Sequence, residues 1–222
     1  MGYEIDHILI MADRDAPQAD RLVELGFSEG APNTHPGQGT ANRRFFFSNF
    51  MLEFNFVVDE DEASSDLTAP TYLLERWQGR NGSGSPFGIC LRPDADGAQA
   101  PPFSTWPYQP SYLPAGKPID MAHNAAKLDE PLLFYVGWIS AAPINLTKAE
   151  QPIEHPNGAS QLTAVELVMP LENHSAELQS FFDLDLVHLL PAEQHHLSII
   201  FDEGRQGQSH YLDPQIPLRL RW

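Results

Sequence analysis

Residues 35–56 read HPGQGTANRRFFFSNFMLEFNF, and the spacing within this stretch decides the fold. Gly37 and Gly39 mark a tight turn. Asn42 to Ser48 and Phe50 to Val58 are rich in the aromatic and branched residues that favour a pleated, half-buried strand, and Ser48-Asn49 between them spaces a hairpin. Period-two alternation puts Leu52, Phe54 and Phe56 on one face of the second strand and Met51, Glu53 and Asn55 on the other. The apolar face needs a core. The other face carries a carboxylate and an amide toward a concave surface. Arg43 and Arg44 must point to opposite faces of their own strand, so one of the two shares the face of Glu53 and suits an anionic group on a ligand.

Working outward, residues 3 to 12 (YEIDHILIMA) form an apolar strand containing His7. Asp13 and Asp15 open a helix with Pro17 in its first turn, an apolar face of Ala19, Leu22, Val23 and Leu25, and Gly26 at its end. A short strand is expected from Phe27, then a turn-rich loop from Pro32 to Thr40. The order to this point is β-α-β-β-β. An acidic loop (residues 59 to 68), a short helix (Pro70 to Gln78) and a Gly/Ser-rich linker (Gly79 to Ser85) lead to a strand at Phe87 to Arg92. From Pro93 to Pro118 the chain is too apolar for a free linker and too rich in proline for a regular element, so it reads either as a structural belt or as a lid. Strands follow at 118–123 and 132–138. After an irregular stretch (139 to 160), the opening pattern recurs: strand 162–169, a helix from Asn173 to Phe182 capped by Asn173 or Ser175, and strand-like runs at 185–190, 195–202 and 209–221.

Composition narrows the class of partner. With 222 residues, 42% hydrophobic and 19% charged, the chain can bury a sizeable core. A net charge of -17 repels nucleic acid and anionic membranes and leaves a small molecule as the expected ligand. The single cysteine, Cys90, excludes an intrachain disulfide and a thiolate zinc cage, and its neighbours Ile89 and Leu91 read it as core. No N-terminal signal and no apolar run approaching ~18 residues is present, so a cytoplasmic protein without a membrane span is expected. The sequons at Asn81, Asn145 and Asn173 then read as chance matches. HExxH, GxSxG, a phosphate loop of the GxxxxGK kind and a dinucleotide fingerprint are all missing from the sequence.

The segments IDHILI, HPGQGTANRRFFFSNFMLEF, GICLRP, PLLFYVGW and HPNGASQLTAVELVMP together resemble the vicinal-oxygen-chelate superfamily (glyoxalase, bleomycin-resistance and extradiol-dioxygenase proteins), and more narrowly its glyoxalase-like branch. The resemblance implies an α+β fold of repeated βαβββ modules whose mixed sheets curl around an open cup. The modules would be residues 1–80, a degenerate 81–140 carrying the Pro/aromatic insertion, and a βαβββ-like 160–222. It further implies His7 and Glu53 as catalytic residues or as part of a divalent metal site (Zn, Ni, Fe or Mn), with Asn42, Arg44, Asn55, Trp106 and Trp138 as ligand contacts. The second module carries Phe87-Gly88 where a second histidine would stand and Gly137 where a second carboxylate would, so the metal set is half complete. His7 beside Glu53 would equally form a metal-free acid/base couple. A glyoxalase-like lyase or isomerase acting on a small oxygenated organic molecule is the leading implication. A drug-sequestering binding protein and an extradiol-type dioxygenase are the alternatives, and a homodimer fits the superfamily's habit of pairing modules.

Overall fold

Tyr3–Met11 form β1, and its side chains sort as alternation demands from Ile8 onward: Ile8 and Ile10 enter the main core, while Leu9 and Met11 enter a second cluster on the opposite face. The computed structural model describes residues 2–82, 84–95, 97, 100–139, 151–170, 173–212 and 216–222. Residues 140–150 of the expected irregular stretch, with the sequon at Asn145, lie outside them. After β1 a 3-10 turn at Pro17–Ala19, with Pro17 at its start, runs into α1 (Asp20–Glu24). β2 (Asn33–His35), β3 (Thr40–Phe46) and β4 (Met51–Val57) complete the first module, and β4 returns to pair parallel with β1. Next come α2 (Glu60–Ala63), capped by the Asp59 carboxylate on the Glu62 N–H, and α3 (Leu73–Gln78).

The second module runs β5 (Phe87–Pro93), β6 (Thr105–Tyr108), β7 (Ile119–Ala122) and β8 (Leu132–Tyr135). It repeats the pairing of the first, with β5 parallel to β8, but the described residues between β5 and β6 contain no helix. β1 and β5 pair antiparallel, so the two modules join edge to edge in one eight-stranded sheet of order β2-β3-β4-β1-β5-β8-β7-β6. The final segment contains β9 (Leu162–Met169), α4 (Ala176–Phe182, capped by Ser175), β10 (His188–Pro191), β11 (His196–Phe201), β12 (Ser209–Tyr211) and β13 (Leu218–Arg221). These strands form a separate sheet of order β10-β9-β11-β13-β12. Its wiring is its own: β9 takes as parallel partner the strand just after the helix, whereas β1 takes the last strand of its module.

The second sheet covers one face of the first. Phe47 stacks on Phe201 at 4.3 Å between ring centroids, Phe27 meets Trp222 at 5.1 Å, and residues of both sheets belong to one buried cluster. Asn49 clasps the Leu162 backbone through both amide atoms, each at 3.0 Å. With that face committed to the core, the other face of the large sheet is left as a cup.

Several local expectations change. Phe27 is a core aromatic and not part of a strand, and the loop 32–40 contains β2, which pairs with β3 because Asn33 and His35 each find an antiparallel partner there. Part of the acidic stretch 59–68 becomes α2, since Asp59 supplies a cap and the acidic residues sit at the helix's positive end. The Pro-rich segment holds a strand after all, β6 with Pro107 in it. β6 is the outer strand of the sheet, where a missing N–H costs no ladder bond. The run 209–221 divides into two strands, β12 and β13, paired antiparallel with each other.

Candidate functional site

Parity builds the cup. His7 and Leu9 from β1, Asn42 and Arg44 from β3, Met51, Glu53 and Asn55 from β4, Ile119 and Met121 from β7, and Leu132 and Phe134 from β8 line one cavity of about 200 Å³. Register brings the polar residues level: Glu53 lies opposite Leu9 on one side and Arg44 on the other, and Asn55 lies opposite Asn42. The first module thus contributes a polar wall and the second an apolar one. Tyr108, Tyr112 and Leu113 of the Pro-rich segment also line the cavity. That segment is tied to the first module by Tyr112, whose hydroxyl donates to Gln38 Oε1 at 3.2 Å and whose ring lies 4.8 Å from that of His35, and by Ser111, whose hydroxyl donates to the Pro36 carbonyl.

His7 owes its setting to an irregularity in β1. The β1–β5 register slips between Ile5 and His7, leaving Asp6 without a cross-strand partner in that ladder. In a regular strand Asp6 and His7 would face opposite ways. At this bulge, Asp6 Oδ1 sits 2.7 Å from His7 Nδ1 while Asp6 Oδ2 accepts from Arg92 at 3.1 Å. Arg92 is itself buried and also donates to Glu4. The His7 ring meets Phe134 edge-on at 5.4 Å. Burial alone would push the His7 pKa down, but the Cys90 sulfur and the Asp6 carboxylate more than offset it, and the imidazole stands well above its ordinary 6.5. Burial pushes the Cys90 thiol itself up to about 11.

Glu53 is buried and ionised. Burial opposes the charge, yet His7, His35 and hydrogen bonds from Asn55 and Asn42 together hold its pKa below the ordinary carboxylate value. Asn55 Nδ2 donates to Glu53 Oε1 at 2.7 Å, and Asn42 Oδ1 accepts from the Asn33 N–H at 2.9 Å. His35, from β2, has Nδ1 2.8 Å from Thr40 Oγ1, which also accepts from Gln38. That leaves Nε2 for the cavity. Burial lowers the His35 pKa against the pull of Glu53, so its imidazole is neutral at pH 7.

The expected contacts are distributed unevenly. His7, Asn42, Arg44, Glu53, Asn55 and Trp138 all line the cavity. Arg44 is partly committed, with Nε donating to the Ala31 carbonyl at 2.9 Å and its guanidinium 5.1 Å from the Phe46 ring. Arg43 faces away from the cup, as strand parity requires, and pairs with Glu29 and Asp20. Trp138 sits at the rim, its indole N–H donating to the Pro118 carbonyl. Trp106 does not reach the cavity; it packs edge-on against Tyr108 on the outer strand β6. The placement of His35 was hidden in the sequence because nothing marks its turn-rich surroundings as a strand facing the cup. The Asp6 contact was hidden because a bulge leaves no sequence period.

A divalent metal of the kind the resemblance implies does not fit these donors. On the second module's side Leu132, Phe134 and Val136 line the cup, and Gly137 does not. At Gly88 any Cβ would stand 2.7 Å from the Leu9 side chain, which leaves no room for a ligating residue. Among the described residues, the group of three ligand-type side chains whose donor atoms lie within 4.8 Å of one another is Asp6, His7 and Cys90. Its carboxylate is already shared by Arg92 and His7. His7, His35 and Glu53, the two-histidine, one-carboxylate combination an extradiol site needs, do not draw together to that distance.

Comparison with known proteins agrees with the architecture. A family model described as a glyoxalase-like domain matches residues 5–181. A hypothetical protein from Staphylococcus aureus has a similar structure (TM-score 0.58, 10% identity, 99% of each chain covered). Weaker likenesses are a hypothetical protein from Bacillus halodurans (TM-score 0.40, 13% identity, 64% of this chain and 99% of that one) and a xylose isomerase-like TIM barrel/4-hydroxyphenylpyruvate dioxygenase fusion protein (TM-score 0.49, 12% identity, 93% of this chain). The chain spans 38% of that fusion protein. No curated protein matches the chain. Since the family model spans β1 to α4, the chain belongs to the glyoxalase-like domain family.

Proposed function

We propose that this protein is a glyoxalase-like lyase or isomerase that moves a proton on a small oxygenated organic molecule held in the cup. The observation that carries this reading is that two imidazoles, His7 and His35, line one small cavity together with the buried carboxylate Glu53. Their surroundings push them apart. His7 beside Asp6 and Cys90 is pushed toward the imidazolium, while burial pushes His35 on Thr40 toward the neutral ring. Groups pushed apart in this way suit the roles of acid and base.

In this reading, His35 takes a proton at Nε2 from the carbon next to a carbonyl, its own Nδ1–H resting on Thr40 Oγ1. His7 gives a proton, or a strong hydrogen bond, to the oxygen on which charge develops. Glu53, with its carboxylate already occupied by two amides, favours the charged form of both rings and carries no proton itself. The apolar wall of Leu132, Phe134 and Met121 limits water and strengthens these interactions. No step is routed through a metal.

Small 2-hydroxy ketones and 2-oxo aldehydes incubated with the protein in deuterium oxide test the proposal. Deuterium should enter next to the carbonyl faster than in buffer, and His35→Gln should slow that entry by about 100-fold or more. If every compound exchanges at the buffer rate, the protein is a binder and not an enzyme of this kind.

A further inference from the structure

Most buried polar atoms of the cup have partners, and Asn55 supplies the exception. The residue is 2% exposed and lines the cavity, yet its Oδ1 accepts no hydrogen bond among the described residues. The amide cannot turn over to remedy this. Its Nδ2 donates to Glu53 Oε1 at 2.7 Å, and a flip would set Oδ1 against that carboxylate oxygen, two acceptors face to face. Glu53 in turn is ionised and so cannot donate back. The neighbouring amide shows the contrast: Asn42 also serves Glu53, but its Oδ1 is satisfied by the Asn33 N–H. The polar wall thus holds one fixed acceptor that is buried and without a partner among the described residues, on a side chain that lines the cavity.

From this we infer that the cup is built for a neutral, ring-sized molecule that brings an O–H or N–H donor to Asn55 Oδ1 and lays an apolar body on Leu9, Met121 and Phe134. Three observations set the class. An acceptor calls for a donor, and a carboxylate group has none to give there. The charges about the site are already matched, with His7 and Arg44 beside Glu53 and Arg92 between Asp6 and Glu4, three cations to three carboxylates, so a net charge on the ligand gains no partner. Size sets the body: a cavity of about 150 Å³ takes a benzene ring, and this one, at about 200 Å³, takes a ring with one or two small substituents. The inference rests on the same cup as the proposed function and names its ligand, but it concerns recognition alone.

Matched probes test it by calorimetry or thermal shift on the unmodified protein: benzyl alcohol, its methyl ether, benzylamine as a cation, and benzoate. The alcohol should bind at least about tenfold more tightly than the ether, which has lost only the donor, and more tightly than either charged compound. In Asn55→Leu the alcohol and ether should come within about twofold of each other. Equal affinities for alcohol and ether in the unmodified protein would overturn the inference, whether or not the variant folds. So would a preference for benzoate or for benzylamine, or failure of the alcohol to bind. Deuterium exchange that depends on His35 would survive any of those results, because it does not use Asn55, so the two readings fail separately.

Discussion

At the scale of the residue, the cup shows how neighbours decide the charge of a side chain. His7 and His35 have the same chemistry and share one cavity, but one lies against a carboxylate and the other against a hydroxyl. A histidine whose pKa is raised on folding stabilises the fold fully below its ordinary 6.5, and that contribution is lost as pH rises through the raised value. The melting-temperature gap between the unmodified protein and His7→Gln should therefore be widest below pH 6.5 and should narrow steadily on the alkaline side. A gap that widens with pH would mean that folding favours neutral His7. The sequence made Glu53, Asn55, Asn42 and Arg44 legible because strand parity fixes their face once the strands are placed. It could not show the partner of His7, since adjacent residues in a regular strand diverge and only the bulge turns Asp6 toward the ring. Cys90 was legible as core, but its place beside His7 depends on the pairing of β1 with β5.

At the scale of the element, the turn between β2 and β3 positions His35. Glu62 from α2 accepts the Gly37 and Gly39 N–H groups at 2.7 and 3.1 Å, so the short helix after β4 clamps the tight turn that these two glycines mark. Gly39 has φ +74, and a Cβ there would stand 2.1 Å from the Asp59 carbonyl; Gly116 has a similar φ of +76 with nothing within 4 Å. Gly116→Ala should cost roughly 1 kcal/mol through backbone strain alone, while Gly39→Ala adds a clash with backbone and should cost about 3 kcal/mol or more. Equal losses by chemical denaturation would contradict the clamp. The helix α2 was illegible as such because four residues show no period; what marked it was the cap Asp59, inside a run that reads equally well as a solvated loop. Pro107 misled for a similar reason: proline argues against a strand only where its nitrogen faces a neighbour, and position in the sheet is a tertiary fact.

At the scale of the whole molecule, both modules of the cup come from one chain, joined along β1 and β5. No helix among the described residues is long and apolar enough to cross a membrane. The third segment is a cover. Its sheet supplies Phe201, Leu197 and Trp222 to the core under Phe47 and Phe27, and Glu130 of the second module holds the α4 cap through the Ser175 N–H and hydroxyl at 2.7 and 2.5 Å. A main core shared by both sheets implies one unfolding unit. Phe47→Ala should destabilise the protein by about 3–5 kcal/mol, with secondary structure and tryptophan fluorescence lost at the same denaturant concentration; two separated transitions would show that the sheets fold independently. The repeated β-α-β-β-β order was readable from hydrophobic spacing, but the pairing of β9 with β10 was not, because spacing identifies strands and not their partners.

The separation of acid from base is the centre of this account, and ring-nitrogen NMR of the histidines reads it without a substrate. At pH 7 the account predicts imidazolium shifts for His7 and neutral-ring shifts for His35, with Asp6→Asn moving His7 toward neutral. Two rings titrating together near 6.5 would contradict it.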